Sequence, residues 1–477
     1  MTICEEIGAW AAGLRAGDLP ESVLERARLQ SASIAAGREA GAEAAAPFTA
    51  AAPDGPVGEV YRSAVASIAH DWDDYLFMGH TGHSAVPAAE TFAGDRERAL
   101  LAQVAANEIA GRLGAALFLG PHNGQFWAAI HCASAAVATA LGIGLDAERT
   151  AHALAISLYL PPYGMWPGFM GPQTKLLTAA EPAAAGARAA LLAAEGVSGA
   201  PDVVEHPRGV LANLSFAPRP AMFGALGRVW LTDTLAFKRL PGCAYLQSVG
   251  EAALAAQVQP GEVAGIDVEA GWLTCEMEEL GRGPELSPVR VNFSAALTVA
   301  IALRAGRLTP AELRPAWLAE KEIEIRALAA RVSVRHDPSL TARTLLGTLD
   351  AGASLDDVAA RDLLRIRRRL GDVNMDGANP GPALARAIAA DSHLRRVLGR
   401  TLRARLAGRG AAGGIEDLEI GALRMTFPSR LHIRLRGGEV RTVEGAEPGS
   451  CGRSLDEQRA VVAEKLEVAG LAVSGVS

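Results

Sequence analysis

Residues 126–143 read FWAAIHCASAAVATALGI and contain no acidic or basic residue other than His131. Three further alanine-rich segments, at 98–118, 147–158 and 178–195, are also apolar around most of a helical circumference. A helix of this kind must be buried on most sides. The first half of the chain is therefore predicted to form a mainly helical domain.

The start of the chain also has helical signals. Residues 18–21, Asp-Leu-Pro-Glu, combine a capping residue, a first-turn proline and a following acid, so we expect a helix from there to about Gly37. Before this helix, one face at helical spacing is formed by Ile7, Trp10, Ala11 and Leu14. No alternation typical of strands occurs before about residue 263.

The sequence changes character from there onwards. Alternating apolar residues predict half-buried strands at Val263–Val268, at 289–293 and at 423–427. A hairpin is predicted where residues 431–436 and 439–443 flank Gly437-Gly438. Helical patterns lie between these strands, at 295–305, 309–330, 356–370 and 380–406, and residues 407–414 are typical of a flexible connection.

A chain of 477 residues is longer than one compact core usually accommodates. We predict a mainly α fold with a second, α+β domain. Residues 1–260 are expected to form the helical domain, completed by a C-terminal helix at about 455–477. Residues 261–454 are expected to form the α+β domain.

Composition excludes several classes of function. The net charge of −7 and the absence of a basic stripe argue against nucleic-acid binding, and no long uncharged apolar window predicts a membrane span. The five cysteines are scattered without a CxxC pair, which argues against a disulfide framework, a zinc knuckle or an iron–sulfur cluster. Acids at Glu5 and Glu6 are atypical of a targeting peptide, so a cytoplasmic location is expected.

Lysine is rare in this chain. Of 46 basic residues, four are lysines: Lys175, Lys238, Lys321 and Lys465. Surface charge is thus carried by arginine, whereas a lysine ammonium can lose its proton when its pKa is lowered. Lysines at polar interruptions of apolar sequence are therefore candidate site residues.

A cluster of acids and histidines interrupts the helical half. Residues 70–75 read His-Asp-Trp-Asp-Asp-Tyr, and His80 and His83 follow. Asp71 and Asp74 would share one face of a helix. The carboxylates and imidazoles could bind a divalent metal ion. Alternatively, one carboxylate orients a histidine for acid–base catalysis while another binds substrate, or the cluster is a solvated helix end.

Two lysines lie in comparable positions. Lys175 enters an apolar helix after Gly171-Pro172, where desolvation would lower its pKa. Lys238 precedes Pro241 and Cys243 at the end of the helical half, and ligand sites are frequent between domains.

These motifs together resemble the MmgE/PrpD superfamily, which includes 2-methylcitrate dehydratase, cis-aconitate decarboxylase and iminodisuccinate epimerase. The resemblance extends over nearly the whole chain, and it rests on the order of the motifs rather than on any one of them. The segments that are similar to family motifs are Asp71–Asp74 with His80-Thr81-Gly82 and Pro87, Glu108–Arg112, Lys175 through Gly186, Lys238–Cys243 and Phe293-Ser294. Residues 449–455 resemble a further family motif only weakly.

The resemblance implies a helical domain with a lid domain, no cofactor or metal, a small-molecule carboxylate substrate and a homodimer. It implies that a cleft between the two domains is lined by the catalytic candidates Asp71, His80, Lys175, Lys238 and Cys243.

Departures from the family pattern indicate a changed substrate. Tyr75 replaces a threonine, Trp127 stands where a site histidine is expected, and Gln247 replaces another histidine. Fewer cationic groups would then remain to bind a tricarboxylate. The candidate substrate-binding residues are Asp74, Tyr75, Trp127, Met165, Trp166 and Gln247, with Tyr163 as a further possible pocket wall and His131 or His122 as substitutes for the missing histidine.

The function expected from the resemblance is that of a lyase, a dehydratase or decarboxylase acting beside a carboxylate. His80, oriented by Asp71, would transfer the proton, and Lys175 or Lys238 would stabilise the developing charge. An isomerase or epimerase could use the same groups, and a non-catalytic binding protein is the third alternative. Lys321 and Lys465 are expected to lie elsewhere.

Overall fold

The computed structural model describes residues 1–118, 120, 128–353, 358, 361–362, 364–365, 381–406 and 413–473. Its helices up to residue 255 are α1 (Ile3–Gly13), α2 (Glu21–Ala50), α3 (Pro56–Ile68), α4 (Gly82–Phe92), α5 (Arg96–Leu117), α6 (Ala128–Gly142), α7 (Ala147–Tyr159), α8 (Leu177–Ala194), α9 (Val210–Leu214) and α10 (Gln247–Ala255). The later helices are α11 (Trp272–Gly281), α12 (Pro288–Val291), α13 (Ala295–Ala305), α14 (Pro315–Ala329), α15 (Pro338–Leu349), α16 (Gly381–Ala390), α17 (Ser392–Leu406) and α18 (Leu455–Val468).

The strands form two sheets. They are β1 (Asp74–Tyr75), β2 (Ala236–Phe237), β3 (Val263–Ala270), β4 (Val332–His336), β5 (Ser429–Leu435) and β6 (Val440–Glu444). β1 and β2 pair antiparallel as a short ribbon. The larger sheet has the order β4-β3-β5-β6, in which β3 pairs parallel with β4 and antiparallel with β5. The predicted fold class, mainly α with an α+β part, is confirmed.

Alanine-rich helices form the core of the first half. In α6 all but one of the residues are buried, and α6 packs against α4, α5, α7 and α8. Small side chains allow this close packing: at Gly186 of α8, a Cβ atom would lie 2.2 Å from the main-chain oxygen of Cys132. The predictions at 98–118, 147–158 and 178–195 are confirmed as α5, α7 and α8. The prediction at 126–143 is confirmed for residues 128–142, since 126 and 127 lie outside the described residues.

Helix α2 is longer than predicted, because it continues past Gly37 to Ala50. Gly41 is needed inside it, since a Cβ atom there would lie 2.0 Å from the main-chain oxygen of Ala66. The glycine therefore marks the close approach of α2 and α3 rather than a helix end.

The strand predicted at 289–293 is wrong. Residues 288–291 form the helical turn α12, in which the Ser287 hydroxyl accepts a hydrogen bond from the Arg290 main-chain N–H and Pro288 occupies the first turn. Helix-start chemistry outweighs alternation over so few residues. The alternation at 423–427 likewise gives a single bridge, between Met425 and Cys451, instead of a strand.

The remaining predictions of the second half have mixed outcomes. The hairpin at Gly437-Gly438 is confirmed, with Gly438 at a φ of 89°. The predicted helix at 380–406 is two helices, because Asp391 caps a new start by accepting the Leu394 main-chain N–H. Most of 356–370 and of the connection at 407–414 lies outside the described residues. Within the described ranges, no helix is both long and apolar enough to cross a membrane.

Candidate active site

The acid cluster lies in a turn and not in a helix. Helix α3 ends at Ile68, and Asp71 adopts a φ of 54°, in the left-handed region. The chain then continues into β1 at Asp74. Asp71 and Asp74 therefore do not share a helix face, and the expected i, i+3 arrangement is wrong.

Asp71 is shared by the two candidate lysines. Its Oδ1 atom lies 3.1 Å from Lys175 Nζ and 3.4 Å from Lys238 Nζ. All three side chains are almost completely buried. Burial opposes ionisation, but the two ammonium groups lower the pKa of Asp71 to about 2. Asp71 is thus a permanent anion between two cations.

The carboxylate that orients His80 is Asp73. Its Oδ2 atom lies 2.8 Å from His80 Nδ1 and 3.1 Å from His83 Nε2, and its Oδ1 lies 2.6 Å from Lys238 Nζ. The prediction that Asp71 orients His80 is therefore wrong. The left-handed turn at Asp71 directs that carboxylate to the lysines and leaves Asp73 beside the imidazole.

This contact fixes the tautomer of His80. The Asp73 carboxylate is held ionised, because Lys238 and the two histidines outweigh burial and place its pKa well below the usual range. A carboxylate only accepts hydrogen bonds, so His80 Nδ1 carries the proton and donates it. The Nε2 atom has no hydrogen-bond partner among the described residues, and the side chain remains 19% exposed. His80 is thus prepared to accept a proton.

Lys238 is saturated with acceptors. Besides Asp73, its ammonium donates to the main-chain oxygen of Asp71 at 3.0 Å. Burial disfavours its charge, but the Asp71 and Asp73 carboxylates raise the pKa of Lys238 above its usual value. Lys238 therefore holds the turn in place and has little capacity to exchange a proton.

Lys175 keeps free donors. It lies in a short 3-10 turn, Gln173–Leu176, at the start of α8, and its side chain is fully buried. Apart from the ion pair with Asp71, its ammonium has no hydrogen-bond acceptor among the described residues. The ring of Phe293 lies beneath it, with 5.3 Å between Nζ and the ring centroid. A buried ammonium with unused donors is suited to bind an anionic ligand.

Asp74 belongs to a different network. Its Oδ2 accepts a hydrogen bond from Gln30 of α2 at 2.8 Å, and Gln30 also contacts Thr81 and Asn107. Burial, and then the neighbouring Asp73, raise the pKa of Asp74. Asp74 thus contacts α2 through Oδ2, whereas its Oδ1 has no hydrogen-bond partner among the described residues, and the contact with substrate stays a prediction.

Tyr75 and Gln247 lie near Lys238. They line a cavity of about 10 Å³, together with Lys238, Glu447 and Ser450, and this volume holds about one water molecule. Both amide atoms of Gln247 are engaged by the main chain of Leu240, at 2.9 and 3.0 Å. Gln247 thus holds the loop at Leu240, and its contact with substrate stays a prediction.

Cys243 lies close to the ion pairs that Asp71 forms with the two lysines, and its thiol is held in the protonated form. Burial, and then the Asp71 carboxylate, raise the pKa of its thiol to about 12. Burial thus favours the protonated thiol at neutral pH. It can act as a weak hydrogen-bond donor.

The predicted aromatic wall is described in part. Trp166 packs on Phe169, and Phe169 packs on Phe293 beneath Lys175, with 5.5 Å between the ring centroids in each pair. Met165 is 70% exposed and points to solvent, so the structure does not place it in a pocket wall. Tyr163 is also exposed. Trp127 and His122 lie outside the described residues, and His131 is buried in α6 with Nδ1 3.1 Å from the Ser84 hydroxyl.

Lys465 was expected elsewhere, and that prediction is wrong. This residue of α18 is fully buried beneath the turn, because α18 packs on α2. Its ammonium donates to the Ser33 hydroxyl at 2.6 Å and to the main-chain oxygen of Trp72 at 2.9 Å. Burial lowers the pKa of Lys465 to about 7. Lys321, in contrast, lies elsewhere as predicted, on α14, where it pairs with Glu320.

A comparison with known families finds one match. Residues 60–222 match the family model of the MmgE/PrpD N-terminal domain. The chain therefore contains an MmgE/PrpD N-terminal domain. The match includes Asp71, Asp73, His80 and Lys175, whereas Lys238 lies beyond it. The domain is typical of dehydratase and lyase proteins. No curated protein matches the sequence.

Among the described residues, the side chains of the site are not arranged as a set of metal ligands. No three histidine, cysteine, aspartate or glutamate side chains converge as metal ligands in the described part of this MmgE/PrpD protein. The position between the Asp71 and Asp73 carboxylates is taken by the Lys238 ammonium.

Several site residues of this MmgE/PrpD chain were not predicted from the sequence. Asp73 and His83 belong to the quoted motif, but spacing alone did not distinguish Asp73 from Asp71. Buried polar side chains that were not assigned to the site are His70 and Asn292. No pattern in the sequence indicates that the main chains of these two residues are joined through Gly242 and Cys243.

Glu447 provides a pH-dependent prediction. Burial is the main cause that raises its pKa from 4.5 to about 8. Between these values the unfolded chain loses the proton and the folded chain keeps it, so wild-type stability falls as the pH rises. We expect Glu447→Gln to match the wild type near pH 5 and to exceed its free energy of unfolding by up to about 4 kcal/mol at pH 8. Denaturant unfolding at both pH values measures this, with exposed Glu439→Gln as control. Parallel stability curves for wild type and Glu447→Gln would contradict it.

Proposed function

We propose that the chain is a cofactor-independent lyase that acts beside a carboxylate of a small organic acid by general acid–base catalysis. The proposal rests on one arrangement. The Asp73–His80 pair leaves His80 Nε2 without a hydrogen-bond partner among the described residues, and Lys175, whose ammonium has unused donors, shares the Asp71 carboxylate with Lys238. A base and a fixed cation are the two groups required to remove a proton next to a carboxylate.

The roles follow from the contacts. His80 Nε2 takes the proton, and Asp73 stabilises the imidazolium that forms. Negative charge then develops on the substrate carboxylate, where Lys175 supplies the stabilising donors. Lys238 has its donors engaged by Asp71 and Asp73, so it positions both carboxylates without contacting the substrate.

The resulting enolate-like intermediate can react in two ways. Loss of a hydroxyl from the neighbouring carbon as water, with the proton that His80 has taken, gives dehydration. Reprotonation from the opposite face gives epimerisation, for which Lys175 is the available second acid. Decarboxylation starts differently: the C–C bond to a carboxylate breaks, carbon dioxide leaves, and a protonated His80 supplies the proton to the carbanion. We rank the lyase first, because the MmgE/PrpD domain is typical of dehydratase and lyase proteins.

Proton exchange in deuterated water tests the proposal. The full-length protein is incubated with a panel of hydroxy, amino and unsaturated di- and tricarboxylic acids, followed by proton NMR and mass spectrometry. We expect at least one acid to exchange its α-proton or to lose water or carbon dioxide, in the presence of a chelator as well. His80→Gln is expected to lower that rate about 100-fold, the usual scale for an acid–base group.

One further variant and its control distinguish whether Lys175 binds the substrate carboxylate or transfers a proton. Lys175→Arg should retain much of the rate if the lysine only binds a carboxylate, and it should lose about 100-fold if the lysine transfers a proton. Lys321→Arg is the matched control and should behave as wild type. Wild-type rates in both His80→Gln and Lys175→Arg would contradict the acid–base assignment, and a panel without any reaction would favour the binding-protein alternative.

The homodimer, the cytoplasmic location and the division at about residue 260 remain predictions. Light scattering at micromolar concentration checks the first. Within the described residues, exposed apolar side chains lie at Tyr159, Leu160 and Met165, which is consistent with an association surface.

A further inference from the structure

The main chain that carries the Asp73 carboxylate is contacted by Lys465 of α18. The Lys465 ammonium donates to the main-chain oxygen of Trp72 at 2.9 Å and lies 3.5 Å from that of Asp73. It also donates to the hydroxyl of Ser33 in α2, at 2.6 Å, and lies 4.8 Å from the centroid of the Trp72 ring. Because the Asp73 carboxylate contacts His80, Lys465 acts on the backbone that presents this carboxylate.

The hydrogen bonding of these two main-chain oxygens depends on few donors. The Asp73 oxygen accepts the N–H of Lys238 at 3.1 Å. Among the described residues, the Trp72 oxygen has no hydrogen-bond donor other than Lys465. This oxygen lies against α2, since a Cβ atom at Gly37 would be 3.4 Å from it. A buried carbonyl group requires a partner, and here Lys465 provides it.

The residue before Lys465 holds a second segment of the site. Glu464 accepts two hydrogen bonds from the Arg239 guanidinium, at 2.6 and 2.8 Å. Arg239 follows Lys238 in the chain, and its main-chain oxygen accepts the indole N–H of Trp72 at 2.8 Å. Two neighbouring residues of α18 therefore hold both segments of the site, the one at Trp72 and the one at Lys238.

The burial of Lys465 is energetically unfavourable. Its side chain is fully buried, and it forms no ion pair with a carboxylate among the described residues. Burial lowers the pKa of Lys465 to about 7, an effect that the Asp73 and Asp74 carboxylates oppose and Lys238 reinforces. Methionine would fill a similar volume without burying an ionisable group. The hydrogen bonds that the lysine gives to the main chain explain its presence.

We propose that Lys465 is a positioning residue, which fixes the main chain at Trp72 and Asp73 and thereby directs the Asp73 carboxylate to His80. Lys465 acts through this backbone and not on the substrate, because its ammonium is fully buried and donates to the protein. The inference rests on the proposed function for the reaction that the pair carries out. The arrangement of the Asp73–His80 pair is measured without substrate, so the two claims are tested separately.

The tautomer of His80 reports the position of Asp73. The full-length protein is labelled with nitrogen-15 histidine, and the shifts of the ring nitrogens give the tautomer of His80, whose signals are identified by their loss in His80→Gln. We expect a proton on Nδ1 in the wild type and a mixture of tautomers in Lys465→Met. With the acid that the panel identifies, the rate of Lys465→Met should fall about tenfold or more, because a small displacement of a catalytic group lowers the rate steeply.

Lys465→Arg separates the hydrogen bonds from packing. Arginine keeps charged donors but is bulkier, whereas methionine fits the volume and donates nothing. If the hydrogen bonds position Asp73, the arginine variant retains the Nδ1 tautomer and more of the rate than the methionine variant. The reverse order would show that packing is decisive and would overturn the proposal. If Lys465→Met does not fold, mixed His80 tautomers in folded Lys465→Arg would likewise contradict it.

Gln458→Met is the control for the docking of α18. Gln458 is fully buried on the same helix, but its amide donates to the main-chain oxygen of Ser450 at 3.0 Å. This variant should keep the wild-type tautomer and rate. Equal losses in Gln458→Met and Lys465→Met, or wild-type behaviour of folded Lys465→Met, would refute the positioning role. A changed tautomer in Lys465→Met, without any reaction of the wild type, would keep the positioning role and reject the proposed catalysis.

Discussion

Asp73→Asn is expected to lower turnover about 1,000-fold or more, the scale seen when a catalytic histidine loses its orienting carboxylate. Asparagine keeps the shape of the side chain. Its amide carries donors as well as an acceptor, so the oxygen cannot serve His80, His83 and Lys238 as the carboxylate does. If the amide N–H₂ faces His80, the imidazole carries its proton on Nε2, and the base is lost.

The measurement is the exchange or elimination rate with the acid that the panel identifies. Asp267→Asn is the matched control, because Asp267 pairs with Ser333 and Arg434 on the exposed face of the sheet. The control should retain wild-type turnover. A folded Asp73→Asn variant with more than a tenth of the wild-type rate would refute the assignment of Asp73 as the orienting group.

The helices of the first half could be predicted because the composition of each segment already indicates that it is buried. In α5 to α8, most of the buried residues are alanine or another apolar residue, so composition indicates both the helix and its burial. The failures occur where a neighbour determines the outcome. Gly37 and Gly41 lie inside α2 because α3 approaches closely there, which no local pattern records.

The candidate site was predicted to a similar extent. Rare lysines drew attention to Lys175 and Lys238, which the structure joins through Asp71. The same argument applied to Lys465, but α18 alternates acids and bases as a surface helix does, so its docking on α2 was not foreseen. The Asp71–Asp73 distinction depends on a positive φ at Asp71, a value that aspartate adopts infrequently.

His70 and Asn292 illustrate a different limit. A sequence shows which residues are polar, but whether a buried polar atom has a partner depends on every element around it. His70 follows α3, and Asn292 follows α12, 222 residues later in the chain. The fold brings their main chains together, because Gly242 hydrogen-bonds to the main chain of His70 and Cys243 to that of Asn292.

Lys238→Met is expected to have the largest effect on stability. The lysine neutralises Asp71 and Asp73, both of which are almost fully buried. Methionine fills a similar volume but leaves the two carboxylates with less compensation. Removal of one partner from a buried ion pair typically costs about 3–5 kcal/mol, since the remaining charge stays desolvated. Denaturant unfolding at pH 7 measures the loss, and Lys321→Met, which breaks a pair with an exposed glutamate, should change the free energy of unfolding by less than about 1 kcal/mol.

The pH dependence of this loss separates charge from packing. In the wild type the lysines lower the pKa of Asp71 to about 2, so the carboxylate stays ionised from neutral pH down to that value. Without Lys238 the burial of both carboxyl groups is less opposed, and their pKa values rise. Protonation then relieves the unpaired charge as the pH falls, so the deficit of Lys238→Met should shrink between pH 7 and pH 5. A deficit that is equal at both pH values would show that Lys238 stabilises the turn by packing, and it would remove the electrostatic account of the Asp71–Lys238–Asp73 arrangement.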